Sequence, residues 1–440
     1  MTKHSMVSAA SAVALGLAAA SAIGLPAAAQ TSDKGQNMQK QVDALKARVK
    51  KLETESSASS GGVGKGPVKG SFMIPGTTTS LEFGGFARGD LMTDFNGYDN
   101  ASFSAGNIPL AQDKTHNLHT QLTAQHSRFN FTSLTPTAYG LVKGFIEFDF
   151  QGTTGSETIT NPDQPRLRHA YVKFPVSPFG QDEILVGQTW STAFSLGTSA
   201  TTLAWNGSEG GIMTRQAQIR WTHKIDPATS FEFSLENPQT EIGNAPSNYS
   251  AGLNDLYPDV VGKVTTHGAW GQGDIVLFNQ FPRIHNSGIN KTAYAWGLEA
   301  NGGFNFTPRD TFYVQTTAGQ GEGRYLDATF DSGYVVGSKI KLNKQYGFRL
   351  GLEHKFSKAI TVNFSGGLEE NHVPGDSTGS ASDSVNKQLW STHLNLLYKP
   401  FPESAPNLKT GIEYTHGYRE VQSGRHGQTD MIDFMTAYNF

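Results

Sequence analysis

The chemistry open to this chain rests on charge. Arg88, Arg128, Lys143 and Arg220 lie in stretches that alternate with period two, and each takes the parity opposite to its apolar neighbours. Asp90 shares the parity of Arg88. A guanidinium presents a planar fork of N–H donors that matches a carboxylate, so such a set suits attraction of anionic solutes; the plainer alternative is that it only solvates a polar wall. Arg166 and Arg168 break the pattern, because they share parity with Ala170, Val172 and Phe174. Either a bulge re-aims them or they stand beyond the apolar band. Covalent and metal chemistry find less support. The chain has no Cys, and neither G-x-S-x-G nor H-E-x-x-H occurs. "GQGEGR" from Gly319 follows a strand pattern and opens no helix, so it reads as a turn. His416 and His426 flank Glu420 at a hairpin end, and "DFNGYDN" from Asp94 lacks the spacing of a calcium loop. No enzyme, cofactor or metal site is expected.

What must position these charges begins behind a leader. Lys3, an apolar run from Val7 to Leu25 and the small residues Ala27 to Ala29 match a cleaved signal peptide over 1–29, so export is expected. Over 30–55, Met38, Val42, Leu45, Val49 and Leu52 recur at alternating steps of four and three, the seam of a short coiled coil that would join copies of the chain. Val at a with Leu at d leans towards two strands. Residues 56–80 are rich in Ser, Gly, Lys and Thr and read as a linker; Gly66 stands where a Walker motif needs Ser or Thr. From 81 to 440 sixteen alternating segments follow, separated by connections that are short and long in turn.

The content of the two strand faces decides between a soluble sheet and a membrane barrel. Val142, Ile146, Phe148 and Phe150 share one face with Gly144, while Lys143, Glu147 and Asp149 take the other. Leu81, Phe83, Leu91 and Phe95 oppose Glu82, Arg88, Asp90 and Asp94 in the same way. Only 37% of residues are hydrophobic, which leaves no run for a spanning helix after the leader. Export without Cys, the two dissimilar ends, and Trp190, Trp221, Trp390, Tyr398 and Tyr438 near strand ends favour an all-β, 16-stranded antiparallel transmembrane barrel with a watery interior. A secreted sandwich is the alternative. A net charge of -3 and a pI near 6.5 argue against a nucleic-acid partner. The terminal "MIDFMTAYNF" alternates to its last residue, so this strand should pair with the first near "LEFGGF" and close the barrel. Phe440, with Tyr438, has the form of the signal that such barrels present to their assembly machinery.

At "QPRLRHAYVKF", "LVGQTWST" and "TRQAQIRWTHKI" the residues resemble those of the DcaP-like porins of Gram-negative outer membranes. The likeness runs from the heptad segment to Phe440. It implies a sixteen-stranded barrel in the outer membrane, a homotrimer rather than the dimer the seam alone favours, a periplasmic coiled coil, and uptake of small organic acids including dicarboxylates. It also makes "STAFSLGTSATTLAWNGSEGG", whose only charge is Glu209, the candidate constriction loop. A basic wall facing a nearly neutral loop would favour anions. A structural or adhesive barrel with a closed pore is the competing expectation.

Overall fold

Alternating aromatic or β-branched and polar residues extend the chain into long strands whose edges must find partners. The computed structural model describes residue 46 and residues 64–440, other than 67, 69, 99–101, 115–116, 153–163, 179, 205, 244–254, 286–289, 327–329 and 376–382. The signal segment and the heptad residues Met38, Val42, Leu45, Val49 and Leu52 lie outside the described residues. Residues 65–440 form one unit.

Its sixteen strands run antiparallel in chain order: β1 (Ser80–Asp94), β2 (His119–Thr123 with Arg128–Thr137), β3 (Gly140–Gly152), β4 (Gln164–Pro175), β5 (Asp182–Trp190), β6 (Arg215–Lys224), β7 (Thr229–Glu236), β8 (Asp259–Gly268), β9 (Gly271–Gln280), β10 (Ala295–Asn305), β11 (Asp310–Gln320), β12 (Lys344–Lys355), β13 (Ile360–His372), β14 (Asn386–Tyr398), β15 (Leu408–Val421) and β16 (His426–Asn439). Each pairs with the next, and β16 pairs with β1 from Phe86↔Asn439 to Asp94↔Met431, so no edge remains. The Phe440 amide donates to the Gly85 carbonyl at 3.1 Å, completing the seam that the last strand's alternation foretold. Phe72–Met73, within the stretch read as linker, pairs with Ser80 and Leu81.

The two ends differ as the connections predicted. One end carries the turns 138–139, 176–181, 225–228, 269–270, 306–309, 356–359 and 399–407; the other carries longer loops, among them 95–118, 191–214, 237–258 and 321–343. Side chains divide by parity. Leu91, Ile146, Ile219, Leu298, Leu394 and Phe434 point out and are exposed, whereas Asp149, Gln218, Glu299, Asn395, Glu413 and Asp433 point in and are buried. A soluble sheet buries the first set; here the apolar set forms a band suited to lipid.

Two strands depart from simple alternation. Between Glu147 and Phe148 the β3–β4 register slips, Glu147 facing His169 and Phe148 facing Leu167, so that Arg168 is the extra residue. This bulge is the first of the two alternatives for Arg166 and Arg168, and it turns Arg168 into the lumen. In β2 the break at 124–127 swings His126 inward, with Nδ1 2.8 Å from an Asp90 oxygen.

The lumen is not uniformly polar. Tyr98, Phe103, Ala105 and Ile108 of the first loop fold inward and join Ala204, Leu326 and Phe330 against Leu389 and Met431. This satellite core fills the β14–β16 side at the loop end. Trp190, expected in the outer aromatic belt, instead stacks on Phe194 with ring centroids 4.2 Å apart, where the third loop turns into the barrel.

Candidate functional site

The loop 191–214 crosses the lumen and is held by carboxylates of the far wall. Glu413 of β15 accepts the amides of Leu203 and Ala204 at 2.7 and 2.8 Å, and Glu369 of β13 accepts that of Gly210 at 2.7 Å. Arg349 of β12 donates to the carbonyls of Ser208 and Glu209. Close approach is possible because of two glycines. Gly210 has a φ of +92°, and a Cβ on Gly367 would strike the Glu209 carbonyl. Backbone amides thus take up Glu413 and Glu369, and a charge-assisted bond of this kind is about twice as strong as a neutral one.

Across from the loop stands a basic wall. Arg128 of β2 comes within 3.5 Å of Glu147, and Arg168, 1% exposed, bonds Glu147 and Asp149 at 2.8 Å each. Arg166 grips Asp149 with two N–H donors at 3.0 and 2.7 Å. Arg215 at the start of β6 differs. Its guanidinium lies 4.6 Å over the Trp190 ring and has neither hydrogen bond nor ion pair among the described residues. It lines a cavity of about 560 Å³ together with Glu209, Arg324, Arg349 and Glu369. The far side of that cavity belongs to the loop 321–343, whose Arg324 bonds Gln216 and Asp259 and whose Tyr325 stacks on Phe278 at 4.5 Å.

The residues singled out in sequence therefore separate. Arg128, Arg166 and Arg168 gather on the wall of β2–β4 with Arg215, which alternation had not marked: at the strand end it shares the outward parity of Ala217 and Ile219. Arg88 and Asp90 point inward yet spend themselves on structure. Arg88 grips Asp90 at 2.8 and 3.0 Å and donates to the Leu203 carbonyl at 2.8 Å, anchoring the loop. Glu209 lines the same cavity as Arg215 and accepts the Ala105 amide at 2.8 Å, joining two inward loops. Lys143 and Arg220 lie nearer the turn end around a separate cavity.

A closed sixteen-stranded barrel with an apolar exterior, a charged lumen and a loop folded across it is the architecture of outer-membrane channels of the porin type. More closely, the chain belongs to the DcaP outer membrane protein family, whose profile matches residues 38–440. Among solved structures, the outer membrane channel DcaP of Acinetobacter baumannii is similar at 22% identity and a TM-score of 0.71, covering 82% of this chain and 97% of that one. An anion-selective porin from Comamonas acidovorans matches at 11% identity and a TM-score of 0.53, over 82% and 100% of the two chains. OmpT of Vibrio cholerae, an outer membrane protein, matches at 10% and 0.51, over 84% and 99%. These likenesses establish the fold. No curated protein matches the chain.

Proposed function

We propose that this barrel passes small organic acids, carboxylates and dicarboxylates among them, by passive diffusion through an anion-favouring eyelet between the loop 191–214 and the β2–β6 wall. The observation that carries the reading is Arg215. Glu413 and Glu369 hold the loop through backbone amides, and Arg128, Arg166 and Arg168 are matched by Glu147 and Asp149, whereas the Arg215 guanidinium lines the eyelet cavity with no acid paired to it among the described residues. The Trp190 ring packs against that guanidinium at 4.6 Å, which lowers the entropy lost when a carboxylate pairs with it. A guanidinium in a water-filled lumen replaces part of an anion's hydration and repels cations of equal size.

The remaining parts follow the same reading. The leader directs export and is removed near Ala29; the heptad segment lies in the periplasm and supports a homotrimer; Phe440 and Tyr438 present the terminal strand to the assembly machinery. Proteoliposomes containing the full mature chain test the central part. They should swell in isosmotic sodium salts of small carboxylates. Absence of swelling for every solute would instead support a structural or adhesive barrel with a closed pore.

A further inference from the structure

Below the eyelet, towards the turn end, the cross-strand register sets Lys143 of β3, Lys173 of β4, Leu185 of β5 and Arg220 of β6 at one level. Lys143, Lys173, Arg220 and Tyr171 line a second cavity, of about 270 Å³, closed by Glu183 and Glu232. Most of its charge is internally matched. Lys173 pairs with Glu183 at 2.7 Å, and Glu232 is shared by Lys263 at 3.0 Å and Arg220 at 3.5 Å. Arg220 is further fixed by the Gln218 side chain and the Trp190 carbonyl at 2.9 and 2.6 Å. Lys143 is the exception. Its ammonium lies 5.0 Å from the Phe145 ring centroid and has no hydrogen bond or ion pair among the described residues. The Tyr171 phenol on the adjacent strand likewise has no hydrogen-bond partner among them.

We propose that this cavity is a second anion station, which takes a small carboxylate by an ion pair to the Lys143 ammonium and a hydrogen bond donated by the Tyr171 hydroxyl. The station rests on the anion-favouring reading of the pore and adds to it a place where the solute pauses after the eyelet. Arg215 and Arg220 are five residues apart on β6, roughly 17 Å between their backbones, and the Arg220 head group reaches back to the Trp190 carbonyl, so the second cavity adjoins the eyelet within one lumen. The two differ in kind. Arg215 is a planar fork against an aromatic ring and selects a carboxylate by shape. Lys143 is a compact, strongly hydrated charge with three rotatable donors, which binds without bidentate geometry and releases readily. Conduction requires sites favourable enough to enter and weak enough to leave, and a wall with two modest stations meets both demands better than one deep site.

Single-channel conductance of the full mature protein, measured against potassium acetate concentration at about 1 M ionic strength, tests this. At that strength the Debye length is about 3 Å, so a merely diffuse effect of the Lys143 charge is screened. Loss of one charge-assisted hydrogen bond predicts that Lys143→Gln raises the half-saturating acetate concentration about tenfold. Lys143→Arg should restore it, and Tyr171→Phe should raise it by a smaller factor. Because Lys143 and Tyr171 bond no other side chain, both variants should migrate as folded, heat-modifiable barrels. Unchanged half-saturation in Lys143→Gln and Tyr171→Phe, with a wild-type pore that still prefers anions, overturns the second station alone. A wild-type pore that prefers cations overturns the anion reading beneath it.

Discussion

Replacing Arg215 by Gln removes one full charge from the cavity wall and keeps a side chain long enough to cover Trp190. The Trp190 ring loses its cation contact but keeps a covering side chain, and no hydrogen bond or ion pair is broken among the described residues. The effect on permeation can therefore be taken from Coulomb's law without a refolding term. For a solute passing about 5 Å from that charge in a water-like lumen, the interaction is about 0.8 kcal/mol. Anion entry should fall about fourfold and cation entry should rise about fourfold, so the anion-to-cation permeability ratio should drop about fifteenfold. Reversal potentials in a planar bilayer under a salt gradient read that ratio directly. Arg425→Gln is the matched control: Arg425 pairs with Asp113 at 2.7 Å at the loop end, and an exposed pair of this kind contributes about 0 to 1 kcal/mol. A ratio that stays within twofold of wild type in Arg215→Gln, with folding intact, would refute the assignment of selectivity to this residue.

Other outcomes follow from the same geometry. Gly367→Ala places a Cβ against the Glu209 carbonyl and should displace the loop 191–214, seen as a larger and noisier single-channel conductance with weaker ion selectivity. Deleting Phe440 removes the amide bonded to Gly85 and the ring beside Phe129, and the yield of folded, heat-modifiable barrel should fall; a normal yield would contradict its role in assembly. Glu322, in the loop beyond the end of β11, is pushed up by burial to about 8 from an ordinary 4.5. Its folded form therefore binds the proton more tightly than the unfolded chain does, so stability conferred on the 321–343 loop falls as pH rises from about 4.5 to 8 and levels off above. Glu322→Gln should flatten the pH dependence of that loop's hydrogen exchange, and an unaltered profile would discard the link. Native mass spectrometry of the detergent-extracted protein should give a trimer, and monomer at all concentrations would count against a role for the heptad seam.

Strand number and closure were legible because period two is a direct image of a pleated sheet with unlike faces. The inward set Asp90, Lys143, Glu147, Asp149 and Arg220 followed from parity alone. Parity failed where the backbone stops alternating. A bulge sets two residues against one partner, so Arg168 enters the lumen from what reads as the outer face. Arg215 escaped notice for a related reason: at the junction of loop and strand it packs on the Trp190 ring and does not follow the pleat. Trp190 was itself misread, since a Trp near a strand end looks the same in sequence whether it meets lipid headgroups or an inward loop. The satellite core of Phe103, Ile108 and Phe330 carried a signal that was available, apolar residues within otherwise polar loops, which burial inside a barrel explains. The role of Glu209 depended on its partner, the Ala105 amide, which lies more than a hundred residues away in sequence and is brought near only by barrel closure.

On the proposed reading, the lumen favours anions because Glu413 and Glu369 hold the loop and Glu147 and Asp149 are matched to arginines, while the Arg215 guanidinium has no acid paired to it among the described residues. The reversal potential of the wild-type protein in a planar bilayer under a potassium chloride gradient tests it most directly. The account predicts a potential of the sign set by chloride permeation, shifted towards zero in Arg215→Gln; a potential of the sign set by potassium would contradict it.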